Sequence, residues 1–485
     1  MMASSDPDRP NFVVVVTDDQ GPWALGCQGN AELQTPAIDA LAGRGVRFES
    51  FFCASPVCSP ARASLLTGRM PSAHGVHDWI RGEAYGLMDE ESYLTGLTTT
   101  PQVLADNGWR CGHTGKWHLG DARRPAPGFT EWYAHRTGDG PYVGAPIWRD
   151  GQRVAEDRYI TTAITDEAVR FVDSAAAGPD PFYLQVHYTA PHSPWVGQHP
   201  AEYLDRYADC AFDSCPRPEP DPWFSWEPGP ISDAMRDPRP SLQGYFASIT
   251  AVDDGVDRLM RTLAEHQLVE STVVVFTSDN GFSCGHHGIW GKGNATNPLN
   301  MWENSVRVPF IVSQPGRLRS GAVESGLAGA CDLHPTLLRL AGVPVPEDPL
   351  AAGRSLLPQL TDGADGADGA EHVIVFDEYG GTRMVRTVEW KLVQRYGDAP
   401  GELYDLGDDP AEEHNLIDDP SRRAVVAELA GVLTDWFSRH IDEQLDAYSR
   451  PISGRGQLHP VRRGTPDAET YYAGTTEIRS GARTS

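Results

Sequence analysis

Two apolar runs that end in polar side chains constrain the fold more than any other feature of the sequence. Residues 11–16 and 273–276 are uninterrupted stretches rich in valine. Such runs are typical of central strands in a parallel sheet that is covered on both faces. Ligands bind at the carboxyl ends of the strands in these sheets. The polar residues at those ends are Asp18, Asp19, Asp279 and Asn280.

These four residues form an all-oxygen donor set. Adjacent carboxylates such as Asp18 and Asp19 repel each other, so a cation between them is favourable; for this pair taken alone, a solvated turn is the alternative. Carboxylate and amide oxygens suit a hard cation such as calcium or magnesium. The sequence therefore predicts one divalent cation at this edge of the sheet.

Helix-start signals alternate with the apolar runs. Thr35 and Pro36 predict the cap and the first turn of a helix that ends near Gly43. Thr100 and Pro101 predict the start of another helix. Because strands alternate with helices along the chain, we expect an α/β fold with helices on both faces of the sheet.

A third helix is predicted where a cysteine precedes a proline. Residues 57–69 read Val-Cys-Ser-Pro-Ala-Arg-Ala-Ser-Leu-Leu-Thr-Gly-Arg, with Gly68 as a stop signal. Arg62 follows Cys58 by four residues and would share its helical face. The positive end of the helix dipole and the guanidinium would together stabilise an anion beside Cys58.

This stretch resembles the signature of the sulfatase family, Cys-x-Pro-Ser/Ala-Arg followed by Leu-x-Thr-Gly-Arg. The resemblance implies that Cys58 is oxidised by a formylglycine-generating maturation enzyme and that the hydrated aldehyde is the nucleophile. Residues 109–120 resemble the second signature of the family, with Trp109 at a tyrosine position. That segment contains Lys116 and His118, which an extended chain would project to the same side.

Further motifs extend the resemblance along the chain. The Pro-His-Ser-Pro sequence around His192 is similar to a family motif whose histidine protonates the leaving group; His187 is the alternative. Lys292 matches a second lysine that binds the sulfate, although residues 294–300 are inserted after it. The resemblance favours calcium over magnesium. Weaker candidates for substrate contacts are His77, Asp78, Trp79, Arg81 and His287.

The resemblance implies an alkaline-phosphatase-like α/β/α sandwich with a large mixed, mostly parallel sheet, plus a smaller C-terminal α+β domain. We expect a catalytic domain over residues 1–361, with an insertion near the site at 197–240. An acidic Gly/Ala linker at 362–370 would lead to the small domain at 371–449, and a tail would follow at 450–485.

The implied reaction is hydrolysis of a sulfate ester through a covalent sulfo-enzyme. The cation, both lysines and Arg62 would neutralise the sulfuryl oxygens. Asp279 would assist the attack, His192 would protonate the departing alcohol, and His118 would take the proton from the second hydroxyl of the hydrate.

Tryptophans in the 197–240 segment favour a sulfated carbohydrate as the substrate, with an aryl sulfate as the alternative. Two other functions are compatible with the motifs. One is a phosphonate monoester or phosphodiester hydrolase with the same nucleophile. The other is a non-catalytic binding protein, which the complete set of candidate site residues disfavours.

The net charge and the composition exclude some classes of binding partner. A net charge of −27 over 485 residues argues against binding of nucleic acid or of an anionic membrane over a broad surface, so a small anionic substrate needs a local basic pocket. The sequence has no run that predicts a transmembrane helix and no basic, apolar leader, which leads us to expect a cytoplasmic protein. The eight cysteines show no paired metal-ligand spacing.

Overall fold

The structure is a computed structural model that describes most of the chain. The described residues are 9–81, 91–149, 151–361, 369–377, 381–397, 399–448, 450, 452, 456–461 and 467–471. Most of the predicted 362–370 linker therefore lies outside the described residues, as does much of the predicted 450–485 tail.

Strands occur along nearly the whole described chain. In chain order they are β1 (Asn11–Thr17), β2 (Val46–Phe48), β3 (Phe51–Phe52), β4 (Arg110–Lys116), β5 (Phe129–His135), β6 (Ala145–Arg149), β7 (Gln152–Glu156), β8 (Phe182–His187), β9 (Thr272–Ser278), β10 (Ser283–Cys284), β11 (Trp290–Gly291), β12 (Phe310–Ser313), β13 (Ala322–Glu324), β14 (Ala328–Gly329), β15 (Val373–Asp377), β16 (Thr382–Arg386), β17 (Trp390–Arg395) and β18 (Glu402–Asp405).

Helices fill the connections between these strands. They are α1 (Pro36–Gly43), α2 (Cys58–Thr67), α3 (Pro71–His74), α4 (Thr100–Asp106), α5 (Ile160–Ala176), α6 (Ala201–Leu204), α7 (Pro230–Arg236), α8 (Pro238–Glu265), α9 (Glu303–Val306), α10 (Leu333–Leu340), α11 (Leu357–Leu360), α12 (Arg423–His440) and α13 (Asp467–Thr470). None of the described helices is both long enough and apolar enough to span a membrane.

The largest sheet has ten strands in the order β13-β2-β12-β9-β1-β8-β4-β5-β6-β7. Strand β1 lies in its interior and pairs in parallel with β8 and β9. Strand β4 continues the parallel part between β8 and β5, whereas β12, β6 and β7 join by antiparallel pairing. The sheet is thus mixed and mostly parallel around β1, as the apolar runs predict.

Alternate residues of β1 contribute to two different hydrophobic cores. Val14 packs in the core that also contains residues of α2, α4 and α10. Val13 packs in the core formed with α1, α5 and α8. Because both faces of the strand are buried, it cannot show the polar alternation of a half-exposed strand. The predicted α/β/α sandwich is confirmed.

A second, antiparallel sheet follows in the C-terminal part of the chain. Its order is β15-β16-β17-β18, and α12 packs on it through Leu429, Leu433 and Phe437. This arrangement confirms the smaller C-terminal α+β unit that the resemblance implies.

The predicted 197–240 insertion contains more regular structure than its composition suggests. Helices α6 and α7 lie within it, and the 28-residue helix α8 begins at Pro238 rather than after the insertion. A proline at the first position of a helix costs no hydrogen bond, because that N–H has no partner within the helix. The proline-rich composition at the end of the segment therefore marks a helix start.

Candidate active site

Parallel pairing brings the two predicted polar pairs together at one edge of the sheet. The register aligns Thr17 of β1 with Ser278 of β9, so the residues that follow the two strands are neighbours. Oxygen atoms of Asp18, Asp19 and Asp279 and the sulfur of Cys58 all lie within 4.8 Å of one another. The sheet edge thus concentrates three carboxylates around one cysteine.

Cys58 is the first residue of α2, and the whole helix is buried. Val57 before it is extended, and Gly68 after the helix has a φ of 70°, a left-handed conformation that favours glycine. The Cys58 thiol donates a hydrogen bond to Asp18 Oδ1 at 3.1 Å, and the Lys292 ammonium donates one to Sγ at 2.9 Å. Burial and the adjacent Asp18 raise the pKa of the thiol, so the unmodified cysteine is held as a neutral group.

Three buried cations balance the three carboxylates. The Lys116 ammonium pairs with Asp18, and that of Lys292 pairs with Asp19. Burial alone would lower the pKa of both lysines, but the carboxylates outweigh it and keep them protonated. Buried charges are tolerated where they are paired in this way.

Arg62 supplies the third cation from the second turn of α2. Its Nη2 lies 2.9 Å from Asp279 Oδ2, and its other guanidinium nitrogens bond Asp279, the Lys116 carbonyl and the His187 ring. The guanidinium is almost completely buried. Arg62 therefore orients Asp279, and His187 serves as a partner of Arg62 beneath the site.

The carboxylates differ in their affinity for a proton. Burial would raise the pKa of Asp18, but Lys116, His192 and Arg62 outweigh it and hold that pKa well below its usual range. For Asp279, burial and the charge of Asp18 raise the pKa. The neighbouring cations therefore favour the charged form of Asp18 more strongly than that of Asp279.

The backbone that positions His118 is not the extended segment that the sequence predicts. Strand β4 ends at Lys116, and His118 itself has a left-handed φ of 54°. The two side chains are therefore not related by strand alternation. Such a backbone conformation is uncommon for a residue other than glycine and is found at functional sites.

The ring of His118 is held in one tautomer. Its Nε2 donates to the Ile80 carbonyl at 2.9 Å, and within the described part of the chain its buried Nδ1 has no hydrogen-bond partner. Burial and the nearby Lys116 lower the pKa of the ring well below its usual value. His118 is therefore neutral, with Nδ1 as a free proton acceptor.

His192 lies at a more open position than His118. Its Nδ1 contacts the Ser193 carbonyl at 2.7 Å, and its Nε2 lies 3.6 Å from Asp19 Oδ2. The side chain keeps 18% of its surface exposed, against 5% for that of Asp19. It can therefore reach both the polar centre and a molecule that enters from solvent.

A cavity of about 410 Å³ leads from solvent to this centre. The predicted residues Cys58, His118, His192 and Lys292 line it together with Trp79. Its lining also includes Thr137, Gly138 and Asp139, which the motifs did not identify, and Asn294, the first residue of the inserted 294–300 segment. Three of these follow the end of β5, so the strand-end signal that identified the aspartates could also have pointed to them.

The remaining weaker candidates lie elsewhere. His77 and Asp78 are buried and bond the C-terminal tail, through Tyr471 and Gly456 respectively. The Arg81 guanidinium lies 5.0 Å from the Trp79 ring.

His287 stacks on Trp302 at 4.5 Å and does not line the cavity. Among the five weaker candidates, Trp79 is thus the one that the structure places in the cavity wall. Contacts between the substrate and the other four residues remain predictions.

The predicted metal ligands fit a hard cation. Three carboxylates converge in a buried position, and the Asn280 side-chain oxygen faces the same centre, where Lys292 donates to it at 3.2 Å. Oxygen donors of this charge are the preferred ligands of calcium and magnesium. Asp19 adopts a left-handed φ of 64°, which turns its carboxylate towards this centre.

The sequence matches models of one protein family over most of its length. Residues 10–343 match the Sulfatase model, and residues 285–438 match the model described as N-sulphoglucosamine sulphohydrolase, C-terminal. An N-acetylglucosamine-6-O-sulfatase of Bacteroides thetaiotaomicron is 26% identical, over 82% of this chain and 81% of its own length. An uncharacterized sulfatase of Escherichia coli is 32% identical over the same shares of the two chains.

Similar solved structures agree with the family models. The protein BT4656, in complex with its substrate D-glucosamine-2-N,6-O-disulfate, has a TM-score of 0.74 and 25% identity and covers 90% of this chain and 99% of its own. A phosphonate monoester hydrolase of Agrobacterium radiobacter, at 20% identity and a TM-score of 0.67 over 90% and 97% of the chains, shares the fold. The motif resemblance is confirmed: the chain belongs to the sulfatase family of sulfuric ester hydrolases.

Proposed function

We propose that the protein hydrolyses a sulfate ester of a carbohydrate, with a formylglycine made from Cys58 as nucleophile and one divalent cation, calcium, at the sheet edge. The observation that carries the proposal is the position of Cys58 at the inner end of a cavity, in contact with Asp18 and Lys292. A nucleophile, an anion-binding cation and two histidines thus line a single cavity.

The state of the thiol supports modification of Cys58. Burial and Asp18 raise its pKa, which disfavours the thiolate that cysteine-based catalysis needs. When formed, the hydrated aldehyde supplies one hydroxyl as nucleophile and a second whose proton allows sulfate to leave. A formylglycine-generating enzyme is therefore a required partner of this chain.

The cations in the site bind the sulfuryl group. Lys292 faces the cavity directly, and Lys116 lies behind Asp18. When bound by Asp18, Asp19, Asp279 and Asn280, a divalent cation supplies further positive charge towards the sulfuryl oxygens. Charge that is fixed before the reaction stabilises a transition state without reorganisation.

The two histidines serve different proton transfers, because they lie at different positions in the cavity. His118 is neutral, and its Nδ1 is free to accept a proton from residue 58. His192 lies nearer to solvent, where the leaving alcohol departs, and protonates the departing oxygen. Asp279 lies beside residue 58, with a carboxylate oxygen within 4.8 Å of Sγ, and assists the attack by accepting the proton of the attacking hydroxyl.

The cavity rim favours a sugar over a simple aryl group. Trp79 offers an aromatic wall, and Asp139, Asn294 and Thr137 offer polar groups around the opening. An aromatic face with surrounding hydrogen-bonding groups suits a ring that carries hydroxyls. The N-acetylglucosamine-6-O-sulfatase and the complex with D-glucosamine-2-N,6-O-disulfate support the same substrate class.

Peptide mass spectrometry across Cys58 tests the nucleophile. We expect an aldehyde in place of the thiol in protein made with a formylglycine-generating enzyme, and hydrolysis of 6-O-sulfated amino sugars. Cys58→Ala should abolish turnover, whereas Cys27→Ala, a partly exposed thiol remote from the cavity, should keep it. Full activity with an unmodified thiol would contradict the proposal.

Metal removal tests the cation. Chelation should lower turnover by at least about 100-fold, because the site would lose charge that stabilises the transition state, and calcium should restore it. Elemental analysis should find one cation per chain in wild type and less in Asp19→Asn. Activity that is unchanged in a metal-free sample would exclude this part of the proposal, and restoration by magnesium alone would change the ion.

A phosphonate monoester hydrolase is the second candidate, since one solved protein with this fold has that activity. Paired aryl sulfate and aryl phosphonate esters distinguish the two. We expect the higher kcat/KM for the sulfate. A clear preference for the phosphonate would move this candidate to first place.

A further inference from the structure

We propose that Gln457, in the C-terminal tail, is a positioning residue of the active site that fixes His118 and the Trp79 wall through the segment 75–81. The inference rests on the proposed function for the role of His118. It concerns a residue far from every family motif in the sequence.

Gln457 is completely buried, and most hydrogen bonds of its side chain go to the segment 75–81. Its Oε1 accepts hydrogen bonds from the backbone N–H groups of His77, at 2.8 Å, and Asp78, at 3.3 Å. Its Nε2 donates to the Gly75 carbonyl at 2.9 Å and to the His459 carbonyl at 3.0 Å. One amide group therefore bonds three backbone groups of the segment 75–81, and a buried backbone group that loses its hydrogen bond is costly.

The backbone of Gln457 pairs with the same segment as a short parallel bridge. Its N–H donates to the Trp79 carbonyl at 2.9 Å, and its carbonyl accepts from the Arg81 N–H at 3.2 Å. The tail thus holds the residues on both sides of Ile80. Because side chain and backbone act together, residues 75–81 have little freedom to shift.

Ile80 carries this restraint to the catalytic groups. Its carbonyl accepts from His118 Nε2 at 2.9 Å, and its N–H donates to Ser59 Oγ at 3.2 Å, next to Cys58. The carbonyl forces the proton of the ring onto Nε2 and leaves Nδ1 as the base. Gln457 therefore acts on the proton acceptor and on the neighbour of the nucleophile through one residue.

Neighbouring tail residues are fitted to the same segment. Gly456 donates its N–H to Asp78 Oδ2 at 3.0 Å, and its φ of 112° and a distance of 2.2 Å from an ideal Cβ to Arg81 Cγ exclude a larger residue. The Tyr471 hydroxyl bonds His77 Nδ1 at 2.6 Å. These close contacts fix the position of the tail against residues 75–81. A tail that only covered the surface would not need them.

Gln457→Ala tests the proposal in the full-length, metal-loaded and modified enzyme. We expect kcat to fall by about 10- to 100-fold, since a displacement of about 1 Å has effects of this size. The matched control is Gln314→Ala, a buried glutamine whose amide bonds the Glu270 carbonyl away from the cavity. Its side chain makes one hydrogen bond, so the variant should lose less thermal stability than Gln457→Ala, and it should keep its kcat.

Nitrogen-15 NMR of the histidine rings gives a readout that does not depend on turnover. The signals of His118, assigned by their loss in His118→Gln, should show the Nε2–H tautomer in wild type and in Gln314→Ala. In Gln457→Ala they should show a mixture of tautomers. If Gln457→Ala does not fold, Tyr471→Phe should give the same changes at smaller size.

Two results would overturn the proposal. One is an unchanged His118 tautomer in a folded tail variant, and the other is a loss of kcat that Gln314→Ala reproduces. An inactive wild type with a normal tautomer pattern that changes in Gln457→Ala would instead contradict the proposed function and leave the positioning role intact.

Discussion

Gly138 leaves room for the ring of His118. A Cβ at this position would lie 2.2 Å from His118 Cε1, closer than real side-chain carbons approach one another. Gly138→Ala should therefore displace the imidazole from Ile80 and lower kcat by at least about 10-fold, with a small change in KM. Steady-state kinetics on a sulfated amino sugar measure both constants.

Gly431→Ala is the matched control for this substitution. An added Cβ meets no atom within 4 Å at this position on α12, so the variant should keep its activity and be slightly more stable, as alanine favours a helix. Equal kinetics for both variants would show that the ring tolerates the methyl group.

At the scale of single residues, sequence motifs identify the reactive groups but do not predict the backbone conformations that position them. The motif around Lys116 identified His118, but the expected strand alternation was wrong, because the chain leaves the strand before His118. Backbone conformations such as the left-handed φ of Asp19 depend on tertiary contacts, and local pattern does not encode them. Gln457 had no signal at all in the sequence.

At the scale of elements, the start of α1 is capped from a distant helix. Thr35, the predicted cap, makes no capping hydrogen bond. Instead the Asp253 carboxylate of α8 accepts from the N–H groups of Ala37 and Ile38, at 3.1 and 2.8 Å. The helix itself could be predicted from its proline and period, but a cap 216 residues away could not.

This cap should make stability depend on pH. Burial raises the pKa of Asp253 from 3.8 to about 7, so the folded state binds the proton more tightly than the unfolded chain. The resulting stabilisation is fully present below the ordinary pKa and is lost as the pH rises through 7. Asp253→Asn cannot titrate, so its thermal midpoint relative to wild type should rise between about pH 4.5 and 7.5.

Measuring both proteins at each pH controls for every other titratable group, because their contributions are common to wild type and Asp253→Asn. A difference in thermal midpoint that stays flat between about pH 4.5 and 7.5 would mean that the Asp253 carboxyl group keeps its ordinary pKa in the folded protein.

At the scale of the whole molecule, a buried lysine joins the small sheet to the large unit. Lys391 of β17 lies between Glu303, at 2.8 Å, and Glu412, at 2.6 Å, with no exposed surface. Lys391→Met should cost about 3–5 kcal/mol of unfolding free energy, because it removes the cation that two buried carboxylates share. Thermal or denaturant unfolding measures the loss.

A double variant separates lost charge from lost packing. Lys391→Met with Glu412→Gln leaves Glu303 beside Arg307 and Arg386, each at 3.7 Å, and should recover a large part of the stability. If the double variant is no more stable than the single one, packing of the lysine stem rather than charge balance holds this interface.

The general architecture can be predicted from the sequence, whereas the long-range contacts between its parts cannot. Apolar runs and helix signals predict the sandwich, since each pattern is local. The contact of Lys391 with Glu303 and that of Gln457 with residues 75–81 link segments far apart in the chain. Such pairings follow from packing and can be recognised only once the fold is known.

The burial of every residue of α2 has a consequence for the timing of maturation. The finished protein offers no accessible stretch of backbone around Cys58 to another enzyme. Under the proposed function, oxidation of this cysteine would therefore come before the sheet and its helices close around it. Each chain would then have one interval in which it could become active, and competition between folding and oxidation would set the active fraction.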